Sequence, residues 1–309
     1  MAVPLVACGD DPVQPPRDLV ADPVDLTAPW QISSPEAEGF DPGRLDGAFV
    51  EATLLDNLRA LLVVRNGRLV REAYFNGTTA DTALDVRSVT KTATALLVGI
   101  ASDDGALDVE DEIGLWFPPD SLQPDHAGIR IRHLLTMTSG IQWTDQANFV
   151  PWLQSGRPTG YVLDLPVVAA PDAAFMYNTG GSHLLAAIVA EATGGDAMAF
   201  ADERLFEPLG ITTDRWLTIG GQPSGGAGLA LRARDLARLG QLVLQRGDVG
   251  SERVVSEAWI DEAFARRVPL GSVGDVLRTG GYGYQVWTES VEPEAFVMWG
   301  YGGQFVWVV

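Results

Sequence analysis

Asp85-Val86-Arg87-Ser88-Val89-Thr90-Lys91-Thr92, continued by an apolar run to Ala101, is the stretch that decides how this chain folds and what chemistry it can carry. Ser88 opens a helical pattern, and residues three apart on a helix share a face, so the Lys91 amine can reach the Ser88 hydroxyl. A serine hydroxyl is a poor nucleophile until a base takes its proton, and a desolvated, neutral lysine can do so. Ser-x-x-Lys alone is weak. Here it gains weight because Lys91 is the only lysine in 309 residues, against twenty arginines. With thirteen serines in the chain, a serine falls three residues before that lysine by chance only about 4 % of the time. An ammonium can lose its proton when buried and a guanidinium cannot, so a lone lysine marks a place where arginine would not serve.

Around this stretch the pattern is that of a mixed α/β (α+β) chain. Asp41 to Leu55 has helical apolar spacing, with Asp41 as N-cap and Pro42 just inside. Residues 59–65 and 68–75 are β-rich and flank Asn66-Gly67, a hairpin signal. Helical patterns follow at 129–138, 182–193, 196–206, 232–246 and 256–265, and strand patterns return at 282–288, 295–299 and 304–309. Strands first, helices in the middle and strands last predict an antiparallel sheet built from both chain ends, with flanking helices and a helical insert beside it. The chain stops inside a strand-like run, so the expectation is a domain over 30–309 whose last strands and closing helix are missing.

Composition narrows the function classes. The net charge is −20, from 41 acidic and 21 basic residues, a field that repels phosphate backbones and disfavours a nucleic-acid partner. One cysteine rules out an intrachain disulfide, and three histidines without ligand spacing point away from a metal site or other cofactor. Residues 1–29, rich in proline and aspartate, read as a signal remnant and flexible tether. Within them Leu5-Val6-Ala7-Cys8 has the form of a bacterial lipoprotein cleavage box, which would leave Cys8 lipidated and the protein membrane-anchored in the cell envelope. A chance cysteine in a tail is the alternative.

Further motifs occur in a fixed order: His133-Leu-Leu-Thr-Met-Thr-Ser-Gly140, Tyr177-Asn-Thr-Gly180, Phe206-Glu-Pro-Leu-Gly-Ile211, Gly226-Ala-Gly-Leu229 and Ala233-Arg-Asp-Leu236. Together with Ser88-Val-Thr-Lys91 they make residues 38–309 resemble the penicillin-recognising serine hydrolases. The likeness is to the class C β-lactamase-related branch, which also holds esterases, D-amino-acid peptidases and 6-aminohexanoate-dimer hydrolase. The resemblance implies a β-lactamase/transpeptidase-like fold, Ser88 as acylated nucleophile, Lys91 as its base or the tuner of its base, and Tyr177 as proton shuttle. A lysine ammonium beside Tyr177 would lower the phenol toward neutral pH. Two departures bear on substrate. Asn178 directly follows Tyr177, the form found on the hydrolase side of the family. The usual Lys-Thr-Gly is replaced by Gly300-Tyr301-Gly302-Gly303-Gln304. Tyr301 brings no positive charge, while the glycines let a substrate carbonyl approach the strand, so the Ser88 and Gln304 N–H groups are the expected oxyanion donors, with Gly303, Tyr301 and Asn178 as substrate contacts.

The expectation is a serine hydrolase acting on a small ester, amide or peptide through an acyl-enzyme. A true β-lactamase or D,D-peptidase, and a non-catalytic lipid-anchored binding protein on the same fold, are the alternatives. His133 and His183 lack a Ser-His-Asp context and read as structural. Trp143, Trp152 and Tyr161 suit either a pocket wall or the core.

Overall fold

The N-terminal hairpin forms as its turn residues dictate. Asn66 and Gly67 both take positive φ (52° and 70°), the geometry of a tight turn matched to strand twist. The turn joins β2 (Ala60–Arg65) to β3 (Arg68–Tyr74), and β1 (Gln31–Ile32) adds to β3 in parallel. On this small sheet lies α1 (Pro42–Ala52), capped by Asp41, whose side chain accepts the Arg44 N–H at 2.8 Å. Leu45 and Phe49 of the helix close over Val70, with Leu61 and Val63 alongside. The computed structural model describes residues 3–4, 23–213, 215–291 and 294–309; Cys8 lies outside the described residues.

A helical layer holds the core. Helix α2 (Thr90–Asp103) is buried from Thr90 to Ala101 without a polar face, which makes it a central rather than a surface helix. It packs against α6 (Thr179–Ala192), itself buried from Thr179 to Ala190. Around them stand α3 (Ile131–Leu135), α4 (Asp145–Gln154), α5 (Pro158–Leu163) and α7 (Ala197–Ala201), the last running into a π-turn over Asp202–Phe206. Helices α4 and α5 carry no readable signal because Pro151 and Pro158 interrupt their pattern; Pro151 sits inside α4 and Pro158 opens α5. Trp143 and Trp152, 1 % and 0 % exposed, meet edge to face at 6.1 Å and belong to the core.

After α8 (Ala233–Leu244) and α9 (Glu257–Phe264) the chain forms an antiparallel meander: β6 (Val268–Val273), β7 (Leu277–Tyr282), β8 (Trp287–Glu289), β9 (Ala295–Gly300) and β10 (Gln304–Val308). Met298 and Val306 are cross-strand partners turned to the core, and Phe296 meets Phe264 of α9 at 5.3 Å. Two expectations need correction. The strands from the two chain ends form two sheets, not one: β2 and β10 both pack on α8, yet among the described residues no ladder joins them. Packing on a shared helix does not bring two edges to the spacing of about 4.8 Å that a ladder needs. The run 282–288 is likewise broken by a turn, Gly283 N–H to Val286 O at 2.9 Å, with Gln285 at φ 58°.

Gln285 explains why that break is kept. Its side chain is buried and fully paired: Nε2 donates to Leu134 O (2.8 Å) and Leu135 O (3.0 Å), and Oε1 accepts from Ser182 Oγ at 2.7 Å. Its own carbonyl accepts from Thr92 Oγ1 at 2.9 Å. One residue thus ties α2, α3 and α6 to the C-terminal sheet. Gln285→Ala should remove three buried side-chain hydrogen bonds that link these helices and lower unfolding free energy by about 3 kcal/mol. A urea midpoint unchanged at constant m-value would refute that role.

Candidate active site

The serine sits on a short turn between an extended pair and the central helix. β4 (Leu84–Asp85) pairs antiparallel with β5 (Ala230–Leu231), and a single 3₁₀ turn, Arg87–Val89, leads into α2. Thr90 locks the turn: its Oγ1 donates to Arg87 O at 2.6 Å and accepts the Leu229 N–H at 3.2 Å. Ser88 is partly exposed and therefore reachable, while Lys91, one helical turn on, is 1 % exposed.

The Lys91 amine stands among three oxygens: Ser88 Oγ at 3.1 Å, Thr179 Oγ1 at 3.1 Å and Gly226 O at 2.7 Å. Glycine at 226 is required by this approach, since a Cβ there would lie 2.6 Å from Thr179 Cγ2 and 3.4 Å from the amine. Burial disfavours the ammonium and pushes the amine down to about 8, against a smaller opposing pull from the Asp145 carboxylate. The three acceptors differ in kind. Gly226 O only accepts, whereas the two hydroxyls can donate or accept. A neutral amine can therefore give its two N–H groups to Gly226 O and Thr179 Oγ1 and turn its lone pair to the Ser88 hydroxyl.

Tyr177 reaches the same point from the other side. Its segment hangs on the His133–Gly140 stretch, with Met176 N–H donating to Met137 O at 2.8 Å. The ring stacks on Trp287 at 5.7 Å and 16°, and the Lys91 amine lies over its face, 4.9 Å from the centroid. The expected lowering of its phenol does not occur. Burial pushes it up, Asp145 adds to that, and the hydrogen bond with Ser88 opposes without prevailing. Tyr177 is thus a phenol, a proton donor, at neutral pH, and Lys91 is the group poised to accept.

The other expected residues are placed as follows. Asn178 is a buried helix cap: Oδ1 accepts the Gly181 N–H at 2.8 Å and Nδ2 donates to Ile141 O at 3.3 Å. Both ends of its amide are engaged inside the fold, so it does not contact substrate. Gly300, paired with Gln304, backs onto the serine turn so closely that a Cβ would come within 2.4 Å of Val86 O. The Tyr301–Gly303 turn follows directly, beside Ser88, but the Tyr301 side chain is 86 % exposed and points to solvent.

His133 and His183 are structural. His133 Nδ1 accepts the Arg130 N–H at 2.9 Å, so its proton is on Nε2 and faces Asp172 Oδ2 at 3.2 Å. Asp172 also holds Arg132 (2.7 Å) and Thr138 Oγ1 (3.0 Å), which keeps its carboxyl well below the usual range and clamps the segment leading to Tyr177. His183, fully buried beside Trp152, is pushed down to about 4 by burial. Among the described residues no group of His, Cys, Asp or Glu could hold a metal ion. Thr179, Gly226 and Asp145 act on the amine although sequence reasoning gave them no role; Gly226 lay inside the quoted Gly226–Leu229 motif, and Asp145 carried no signal. The Thr-Gly after Tyr177-Asn178 was the signal for Thr179.

The Beta-lactamase family model matches residues 54–309. The chain is 26 % identical over 269 residues to the 6-aminohexanoate-dimer hydrolase of Paenarthrobacter ureafaciens, covering 81 % of this chain and 69 % of that one. Among solved structures it is similar to the octameric penicillin-binding protein homologue from Pyrococcus abyssi, with TM-score 0.68, 20 % identity and coverage of 84 % and 68 %. It is also similar to a D-stereospecific amidohydrolase from Streptomyces sp., with TM-score 0.58, 20 % identity and coverage of 82 % and 84 %. These likenesses establish the mixed α/β fold of that group.

The Lys91 geometry sets a pH dependence. If the neutral amine accepts the Ser88 proton, acylation should rise with pH and level off above about 8. Below that value kcat/KM should fall tenfold per pH unit. Lys91→Met, which keeps the buried volume and removes the amine, should lose about 10²–10⁴-fold in acylation while the melting temperature holds or rises. A flat profile from pH 6 to 9 would overturn the assignment.

Proposed function

Because the chain belongs to the Beta-lactamase family, we propose that it is a serine hydrolase that cleaves an ester or amide through an acyl-enzyme on Ser88. Lys91 takes the Ser88 proton as Oγ attacks the substrate carbonyl. The resulting oxyanion rests against the backbone N–H groups of Ser88 and Gln304. Tyr177 gives its proton to the leaving oxygen or nitrogen and recovers one from the Lys91 ammonium, so the amine is neutral again when the acyl-enzyme forms. Water then repeats the sequence in reverse roles: its proton passes to the Tyr177–Lys91 pair, and Ser88 leaves with a proton returned from it.

The observation that carries this reading is the Lys91 amine, buried, 3.1 Å from Ser88 Oγ and held down to about 8. An ordinary surface lysine would be protonated and useless as a base. The amide-cleaving relative favours an amide or ester over a β-lactam ring. The solvent-facing Tyr301, with no cation in its place, points the same way.

A fluorophosphonate probe should label the intact protein at Ser88, found by peptide mass spectrometry, and Ser88→Ala should not label. p-Nitrophenyl acetate should give a burst of about one equivalent, with D-amino-acid anilides hydrolysed and nitrocefin turned over at least tenfold more slowly. No label on Ser88 of a cooperatively folded sample would overturn the hydrolase reading. Nitrocefin as the preferred substrate would replace it with a β-lactamase.

A further inference from the structure

We propose that Arg87 binds a carboxylate on the substrate, making this a hydrolase of anionic esters or amides; the inference rests on the acyl-enzyme reading above. Arg87 immediately precedes the nucleophile and has φ 54°, a region that bulky side chains rarely adopt and that glycine or asparagine would fill more easily. The turn is built to hold this backbone conformation nonetheless. Asp85 Oδ1 accepts the Arg87 N–H at 2.8 Å, and Thr90 Oγ1 donates to the Arg87 carbonyl at 2.6 Å. Gly300 packs against the same turn and leaves room for a Cβ at 87: a Cβ at 300 would come within 3.0 Å of Arg87 Cβ. An unfavourable backbone supported on three sides beside a nucleophile is the kind of outlier from which a function can be argued.

The guanidinium thus starts from the corner between the serine turn and the Gly300–Gln304 turn. One of its nitrogens lies 3.3 Å from Asp85 Oδ2, and the side chain is 54 % exposed, so it is open to a ligand from solvent. Lys91 and Tyr301 cannot take this role. Lys91 is enclosed beneath the serine with three oxygens around it, and Tyr301 is uncharged and turned outward. Arg215, on the neighbouring stretch, directs a nitrogen to Ala83 O at 3.4 Å. A chain of net charge −20 repels anions at long range, so a carboxylate substrate needs a cation at the point of reaction. Arg87 supplies it in a form suited to planar, paired hydrogen bonds.

The test compares esters differing only in one charge. 3-Acetoxybenzoate and its methyl ester place the carboxylate on the leaving group. Mono-p-nitrophenyl adipate and its methyl ester place it on the acyl side. The readout is the ratio of kcat/KM for the anion to that for its methyl ester, within each variant, so that any change common to both esters cancels. Glutamine carries the same backbone penalty as arginine at φ 54°, and Arg87→Gln should lower the ratio about tenfold for one of the two pairs, mainly through KM. Asp85→Asn keeps the acceptor for the Arg87 N–H, removes the competing charge, and should raise the same ratio severalfold. Ratios unchanged in both variants, with Ser88 still labelled by fluorophosphonate, would overturn the proposal and leave the hydrolase reading standing. Absence of Ser88 labelling in the unmodified protein would overturn both.

Discussion

The structure depends on burying a single amine. Holding Lys91 at about 8 instead of its ordinary 10.5 costs the fold roughly 3 kcal/mol at neutral pH. The sign follows from the direction of the shift. The unfolded chain binds that proton more tightly, so the cost is full below pH 8, shrinks as pH rises, and is gone above 10.5. Three oxygens limit the cost without cancelling it, because Thr179, Gly226 and Ser88 hydrogen-bond the amine but bring no negative charge to it. A carboxylate in direct contact would have restored the ammonium and removed the base. Asp145 is the carboxylate that acts on Lys91, and its effect is smaller than that of burial.

The same desolvation divides the labour between Lys91 and Tyr177. Burial raises a phenol and lowers an amine, so one environment drives the two groups toward a protonated tyrosine and an unprotonated lysine. Above about pH 8 a neutral acid and a neutral base then face one serine. The two titrate as a pair, so a pH limb in the rate belongs to both.

Such a site needs rigid support, and two polar knots supply it. Asp172 ties His133, Arg132 and Thr138 to the segment bearing Tyr177. Gln285 ties the nucleophile helix and its neighbours to the C-terminal sheet. Gln285 is buried and paired, as such a group must be if it is to add order rather than cost, and Asp172, though exposed, engages three side chains. Between them they fix the segments bearing Ser88 and Tyr177 to one core, while Gly300 lets the sheet close onto the serine turn.

That Lys91 lies beside Ser88 was legible in the sequence because it is local, a helical spacing of three with a unique lysine, whereas Tyr177 was reached only through an ordered set of short motifs. The hairpin at Asn66-Gly67 and the cap at Asp41 were legible for the same reason, since turn and cap preferences depend on a few neighbouring residues. Helices α4 and α5 were hidden behind prolines, and the hairpin of β6 and β7 behind a glycine-rich run with little alternation. Asn178 was misread because one amide side chain can serve a ligand or a helix cap, and only the positions of Gly181 and Ile141 decide which. The sequence by itself determined which chemical groups are present and which of them share a helix face. Tertiary structure decided their protonation, the outward turn of Tyr301 and the separation of the strands into two sheets. Burial, dielectric and edge spacing arise from residues far apart in the chain, and no local pattern encodes them.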